Sequence, residues 1–314
     1  MQGTCKLCLG SNLIKLREID PAAIATVYLK EWDIHLSALG CTPPAKRISM
    51  MRCMDCELRQ FTPDWIGPPA LYEALQLFPW YYQESKNEFH VAKQMVKPGD
   101  SVLEVGCATG NFRQHLPNSI SYVGLEFNQM AIDMARSRGL DVRAVPLEEI
   151  AASRPAGFDA VFAFQVLEHV PQPRAFLLDM VRAAKPGGLI VFSVPCEDSF
   201  LRFEVNNVTN LPPHHATRWP DATFSRLSSM IGADFVNSVH EPLSPDHRRA
   251  YANAQVWRVI SSVSPAGRNS VAPAASGTAL RRAIALAGTP VRLWKAWSAS
   301  PTRGHTVTVT FRKS

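Results

Sequence analysis

Residues 101–111 read S-V-L-E-V-G-C-A-T-G-N, an apolar run that breaks into a turn bearing two glycines. Val102, Leu103 and Val105 have the branched, apolar character of a parallel strand buried on both faces. Gly106 and Gly110 let the backbone turn tightly and approach a ligand with no Cβ in the way. From Asn111 a helix is predicted, its free N–H groups and positive dipole end turned toward electron-rich ligand groups. Residues 121–126, S-Y-V-G-L-E, then read as a second strand ending in a carboxylate, 20 residues beyond Gly106. In nucleotide-binding α/β folds an acid at about that spacing accepts bonds from ribose hydroxyls, offering two acceptors and a charge-assisted bond. The plainer alternative is a solvated acid at a strand end.

Four segments follow one another in order: E-V-G-C-A-T-G-N from Glu104, V-G-L-E ending at Glu126, F-D-A-V-F-A-F-Q-V-L-E-H-V-P from Phe158, and K-P-G-G-L-I-V-F from Lys185. Together they resemble class I S-adenosylmethionine-dependent methyltransferases. A dehydrogenase lacks the E-H-V-P segment after its fourth strand and the K-P-G-G turn before its fifth. The resemblance implies an α/β, Rossmann-like sheet, mostly parallel with an antiparallel last strand, and S-adenosyl-L-methionine as cofactor. It implies that Glu104 orients the methionine amino end through the loop and water. Gly106, Cys107, Ala108 and Gly110 would give the cofactor close backbone approach. Glu126, with Phe127 beside it, would hold the ribose, and Phe164 and Gln165 would line the cleft past the fourth strand. Two departures stand out. The family's middle glycine is Ala108, and A-V-P-L-E-E from Ala144 puts Pro146 where an adenine-contacting acid is often found. Leu147 is then the residue to pack on the adenine.

The chain of 314 residues suits one large domain plus an accessory one, and its 46% apolar content supports a real core. No apolar stretch reaches the roughly 18 residues that span a bilayer. The first 30 residues lack the basic, apolar, small-residue order of a secretory signal. Seven cysteines, an odd number, argue for reduced thiols and a cytoplasmic setting. Four of them form two C-x-x-C pairs, Cys5 with Cys8 and Cys53 with Cys56. Each pair can present two thiolates to one tetrahedral Zn²⁺, with no position left open for chemistry. The alternative is incidental pairing or a redox dithiol. Between the pairs a helix is predicted over 21–39, and a small polar segment of this kind gains stability from metal. Cys41, Cys107 and Cys196 read as buried thiols.

The four-cysteine segment, joined through L-Y-E-A-L-Q-L-F-P-W-Y-Y-Q-E-S-K-N-E-F from Leu71, is similar to bacterial sugar and glycan methyltransferases, some of which methylate carbon on nucleotide-linked deoxysugars. The expected organisation is a zinc-ribbon-like module over 1–62, a helical connector over 63–96, and a methyltransferase domain over 97–314. Within the last, 241–303 is a basic insert or lid before the final strand. The connector's rings, Tyr81 and Tyr82 among them, either pack between domains or line the substrate cleft. The last strand pair is predicted at 233–239 and 305–311, as an antiparallel hairpin at the sheet edge.

The loop N-L-P-P-H-H-A-T-R-W from Asn210 follows the fifth strand, at the end of the sheet where ligands bind. Methyl transfer to a hydroxyl or enol needs the nucleophile aligned and a proton removed. Related sugar methyltransferases use a histidine in a similar loop, which makes His215 the first candidate base and His214 the second. Either could instead only support the loop. His169 and Glu168 read as structural or cofactor-side groups. From Glu241 to the end, 11 Lys and Arg face 2 Asp and Glu. Residues 279–297 are basic and amphipathic, suited to an anionic membrane face or an acidic substrate, or simply to a solvated lid. Basic residues do not interleave with aromatics in the cysteine module, which argues against nucleic acid. The expected function is methyl transfer to a small-molecule or glycan-linked sugar. An RNA or protein methyltransferase reading its substrate through the cysteine module, and a silent cofactor-binding scaffold, are the alternatives. The acceptor atom, O, N or C, is not fixed by the sequence.

Overall fold

A computed structural model of the chain describes residues 3–204, 207–263, 271 and 303–314. The basic segment 279–297, with its expected membrane contact, and most of the predicted lid lie outside the described residues. Among those described, no helix is long and apolar enough to cross a membrane.

The N-terminal part holds β1 (Leu13–Ile19), α1 (Pro21–Trp32), β2 (Ile48–Cys53) and β3 (Arg59–Thr62). The predicted helix over 21–39 is shorter. Asp20 caps α1 by accepting from the Ala22 N–H, Pro21 occupies its first turn, and Asp33 ends it at φ +55°. Only a 3₁₀ turn, Leu36–Leu39, follows. The connector contributes α2 (Pro69–Leu75) and α3 (Asn87–Lys93).

Strands and helices then alternate: β4 (Ser101–Val105), β5 (Ser121–Leu125), α4 (Gln129–Ser137), β6 (Val142–Arg143), α5 (Leu147–Ser153), β7 (Phe158–Phe164), α6 (Pro173–Ala183) and β8 (Ala184–Pro195). After β8 come β9 (Thr217–Arg218), α7 (Asp221–Phe224), α8 (Ser228–Ile231), β10 (Ala233–Pro242), α9 (Arg248–Val263) and β11 (Arg303–Lys313). Seven strands form one sheet in the order β10-β11-β8-β7-β4-β5-β6. Pairings from β6 through β8 are parallel, and β11 runs antiparallel to both β8 and β10. This is the Rossmann-like methyltransferase sheet, with the β10–β11 pair at one edge. The order reverses beside β4, the place where open α/β sheets bind ligands.

The helix expected from Asn111 is instead a single 3₁₀ turn, Phe112–His115. Leu116 is already extended and Pro117, which has no N–H to give, ends the turn. So short a turn adds no helix dipole to the ligand loop.

The cysteine segment is not structurally separate from the rest of the chain. Its strands form a second sheet, β1-β2-β3-β9, completed by β9 from the loop after β8 through Arg59↔Arg218 and Gln60↔Thr217. One apolar cluster runs from Leu7, Cys53 and Leu58 into Val161, Phe192 and Trp219. At this junction Glu197, 2% exposed, faces Arg59 and Arg218. Burial lowers the Arg218 pKa and draws that of Arg17, beside them, down to about 10.

Candidate active site

The strand-to-turn junction after β4 folds as its glycines require. Gly106 stands at φ +70°, and a Cβ there would meet Val166 Cγ2 at 2.5 Å. Ala108, in place of the family's middle glycine, also takes a left-handed φ of +47°. Gly110, at φ +76°, also packs closely: a Cβ on it would strike Leu140 Cδ1 at 2.3 Å. The Cys107 side chain is likewise turned inward, its Sγ beneath Gly124, because a Cβ at Gly124 would lie 2.6 Å from it.

Glu126, just past β5, ties the two turns together. Its Oε2 accepts from the Ala108 N–H at 2.9 Å, and its Oε1 from the N–H groups of Phe127 and Asn128 at 2.8 and 3.0 Å. Glu104 is buried, and the Tyr122 hydroxyl donates to it at 2.5 Å. Burial raises the Glu104 pKa to about 8. With Gly106, Cys107 and Lys86 it borders a chamber of about 30 Å³ that adjoins the main cavity and shares Gly106, Ala108 and Phe164 with it.

That main cavity has a volume of about 1640 Å³. Single-ligand pockets usually run to about 1,000 Å³, so there is room for a cofactor and an acceptor together. Its near wall carries Gly106, Ala108, Glu126, Phe127 and Leu147, with Pro146 beside Leu147. Phe164 and Gln165 stand at the end of β7. Phe164 is mostly core, ringed by Phe89, Phe112 and Phe162. Gln165 holds a left-handed φ of +56°, pinned by its N–H bond to the Ser193 carbonyl at 2.9 Å.

The far wall brings together residues from three regions. His214 and His215, from the loop before β9, meet His169 and Glu168, which follow β7. The three rings lie 4.6 to 4.9 Å apart. Each Nδ1 is occupied: His169 by the His214 carbonyl at 2.6 Å, His214 by the Thr209 carbonyl at 2.8 Å, His215 by Asn210 Oδ1 at 3.1 Å. The two backbone carbonyls fix the tautomer of His169 and His214, whose Nδ1 carries the proton and whose Nε2 keeps a lone pair, and His215 takes the same form against the Asn210 amide oxygen. The Tyr81 hydroxyl lies 3.1 Å from His214 Nε2, which makes Tyr81 a cleft residue as well as a packing one. Burial lowers the pKa of all three histidines. Glu168 is 1% exposed and neither of its carboxylate oxygens has a side-chain donor. Burial raises its pKa to about 8.

Beyond this cluster the cavity is lined by Glu204, Glu241, His247 and His305, which sequence reasoning did not single out. Glu241 and His247 are six residues apart, but Glu204 and His305 come from distant segments, and no local pattern announces the set.

The four cysteines of the N-terminal segment converge on one point. One sulfur from each lies within 4.8 Å of the others, with Cys5–Cys56 and Cys8–Cys53 at 3.4 Å. Four sulfurs about 2.3 Å from one zinc ion would be about 3.8 Å apart, so the spacing fits. The two pairs are near copies of one turn. Leu9 N–H bonds the Cys5 carbonyl and Glu57 N–H the Cys53 carbonyl, and both Leu9 and Glu57 have left-handed φ.

Among curated relatives, the ubiquinone biosynthesis O-methyltransferases of Bordetella pertussis and Idiomarina loihiensis are 36% and 34% identical over 102 residues, 30% of this chain and 42% of theirs. The chain therefore spans less than half the length of those relatives. A SAM dependent methyltransferase from Archaeoglobus fulgidus superposes with a TM-score of 0.49 at 16% identity, over 77% of this chain and all of that one. A family model described as a methyltransferase domain matches residues 80–243, just over half the chain. With the sheet order and the loop after β4, that match settles the family: the chain belongs to the class I, S-adenosylmethionine-dependent methyltransferase-domain proteins.

Proposed function

We propose that the chain transfers a methyl group from S-adenosyl-L-methionine to a hydroxyl of a sugar, nucleotide-sugar or glycan-type acceptor. One observation carries this reading: the glycine turn, Glu126 and the histidine cluster all border a single cavity large enough for two ligands. The cofactor supplies an electrophilic methyl carbon on a sulfonium. The chain must hold both partners in line and take up the hydroxyl proton.

Gly106 and Ala108 would lie under the methionine part, Glu126 would accept from the ribose hydroxyls, and Phe127 and Leu147 would flank the adenine. Oxygen as the acceptor atom is supported by the O-methyltransferase relatives, and the sugar class by the wall. Tyr72, Tyr81 and Trp80 offer faces to a sugar ring, while Asn207, Glu204 and His305 offer polar edges to its hydroxyls. Of the two loop histidines, His214 is better set as the proton acceptor, since its Nε2 lone pair meets the Tyr81 hydroxyl while His215 is turned to Glu168. The four cysteines would hold a structural Zn²⁺ and tie the two C-x-x-C turns together, at the end of the segment away from its own apolar cluster of Ile24, Tyr28, Ile48 and Phe61.

The test is to incubate the purified chain with methyl-labelled S-adenosylmethionine and fractionated bacterial extract, with Glu126→Ala as control. Mutant-sensitive label in nucleotide-sugar or glycolipid fractions is expected. Label confined to quinone fractions would replace the acceptor class, and label in RNA or protein would overturn the reading.

A further inference from the structure

We infer that His169, His215 and Glu168 form a binding site for a divalent first-row transition metal at the acceptor end of the cavity. Oε1 of Glu168 lies 4.0 Å from Nε2 of His169 and 4.0 Å from Nε2 of His215. Two ligands about 2.1 Å from one ion stand roughly 3.4 Å apart in tetrahedral geometry and at most about 4.2 Å apart across it. Both separations exceed the tetrahedral value by about 0.6 Å, so the carboxylate and the two rings would draw in on an ion. A third imidazole, His214, is stacked on His215 with ring centres 4.9 Å apart. Its Nε2 can enter the set by giving up its bond from Tyr81.

The surroundings match what a metal-binding histidine needs. Such a ring usually donates its other N–H to a carbonyl or carboxylate, which aims the free lone pair at the ion. His169 and His215 both do this, to the His214 backbone carbonyl and to the Asn210 side chain. Glu168 supplies the second, independent sign. A carboxylate 1% exposed, with no side-chain donor on either oxygen and only its own backbone N–H acting on it, is costly to leave uncompensated. An ion beside it removes that cost. Lys86, the cation felt most by Glu168, acts on it without touching it.

Two imidazoles and one carboxylate leave coordination positions open, and imidazole ligands favour zinc, iron or nickel over magnesium or calcium. Glu168, His169 and His215 all line the cavity. There an ion would take an acceptor oxygen and ease loss of its proton. That role rests on the proposed transfer reaction; the site itself does not.

The experiment counts zinc in the full-length chain after chelator treatment, reconstitution with Zn²⁺ and desalting. Wild type is expected to keep one equivalent beyond that held by the cysteines. Glu168→Gln, which preserves shape, and His215→Asn should each lose that equivalent, whereas Cys8→Ser should keep it. Cofactor affinity by calorimetry reports that each variant is folded. A wild type holding only cysteine-dependent zinc overturns the proposal whatever the variants do, and so does extra zinc that survives both substitutions. Because no acceptor is used, failure of the metal site and failure of the transfer reading are separately visible.

Discussion

Glu104 is a carboxylate whose surroundings favour the proton. It is fully enclosed, and burial outweighs the Tyr122 hydroxyl and the distant Lys86 in raising its pKa to about 8. The unfolded chain loses that proton near the ordinary glutamate value, about 4.3. The folded state therefore binds more protons between these limits, and stability contributed by Glu104 declines as pH rises from about 4.3 to 8. Glu104→Gln keeps the donor and acceptor but cannot ionise. Denaturation midpoints of the variant should be flatter across that window than those of wild type; equal slopes would show that Glu104 is ionised throughout. Glu126 is read differently, because its three backbone N–H bonds hold it as an acceptor at the cavity edge. Glu126→Ala should weaken cofactor binding by about 1–3 kcal/mol, measured by calorimetry, through the groups left unpaired. His214→Gln should lower kcat by about 10²-fold or more while leaving cofactor affinity unchanged, the split expected of a proton acceptor.

At the scale of elements, what the sequence makes legible is what is local. The apolar run of β4, the glycine turn and the acid after β5 all lie within 26 residues of one another, from Ser101 to Glu126, so spacing alone reveals them. The two cysteine pairs are legible for the same reason. The far wall is legible only in part: the loop of His214 and His215 stands out, but Glu168 and His215 are 47 positions apart and His305 is farther still. Only the sheet order, which folds the loop after β8 over the end of β7, puts them in one cavity. Nor is β9 legible. Two residues carry no periodicity, and Thr217–Arg218 becomes a strand only because β3 offers it an edge. Its Arg218 is 5% exposed against Glu197, with Arg59 on the other oxygen. Glu197→Gln leaves both guanidinium groups short of a counter-charge, and removing one partner of a buried pair costs about 3–5 kcal/mol. A fall of that size in urea midpoint at unchanged slope is expected; a change under about 0.5 kcal/mol would mean the arginines are solvated.

For the whole molecule, the question is whether the cysteine segment is an appendage or part of one folding unit. An appendage joined by a linker would melt by itself and leave the methyltransferase sheet standing. The contacts argue otherwise. Cys53, Cys56 and Leu58 share an apolar cluster with Leu103, Phe192 and Trp219, so unfolding the segment strips cover from the seven-stranded sheet. The second sheet takes its last strand from the loop that also carries His214 and His215. Loosening the segment should therefore loosen the cavity wall. Cys53→Ser, which removes one proposed metal ligand, is expected to lower the melting temperature in a single cooperative transition. It should also reduce methyl transfer, although no cysteine of the cluster lines the cavity. Calorimetric scanning decides the matter: two resolved transitions, with the larger unmoved from wild type, would make the segment an independent module.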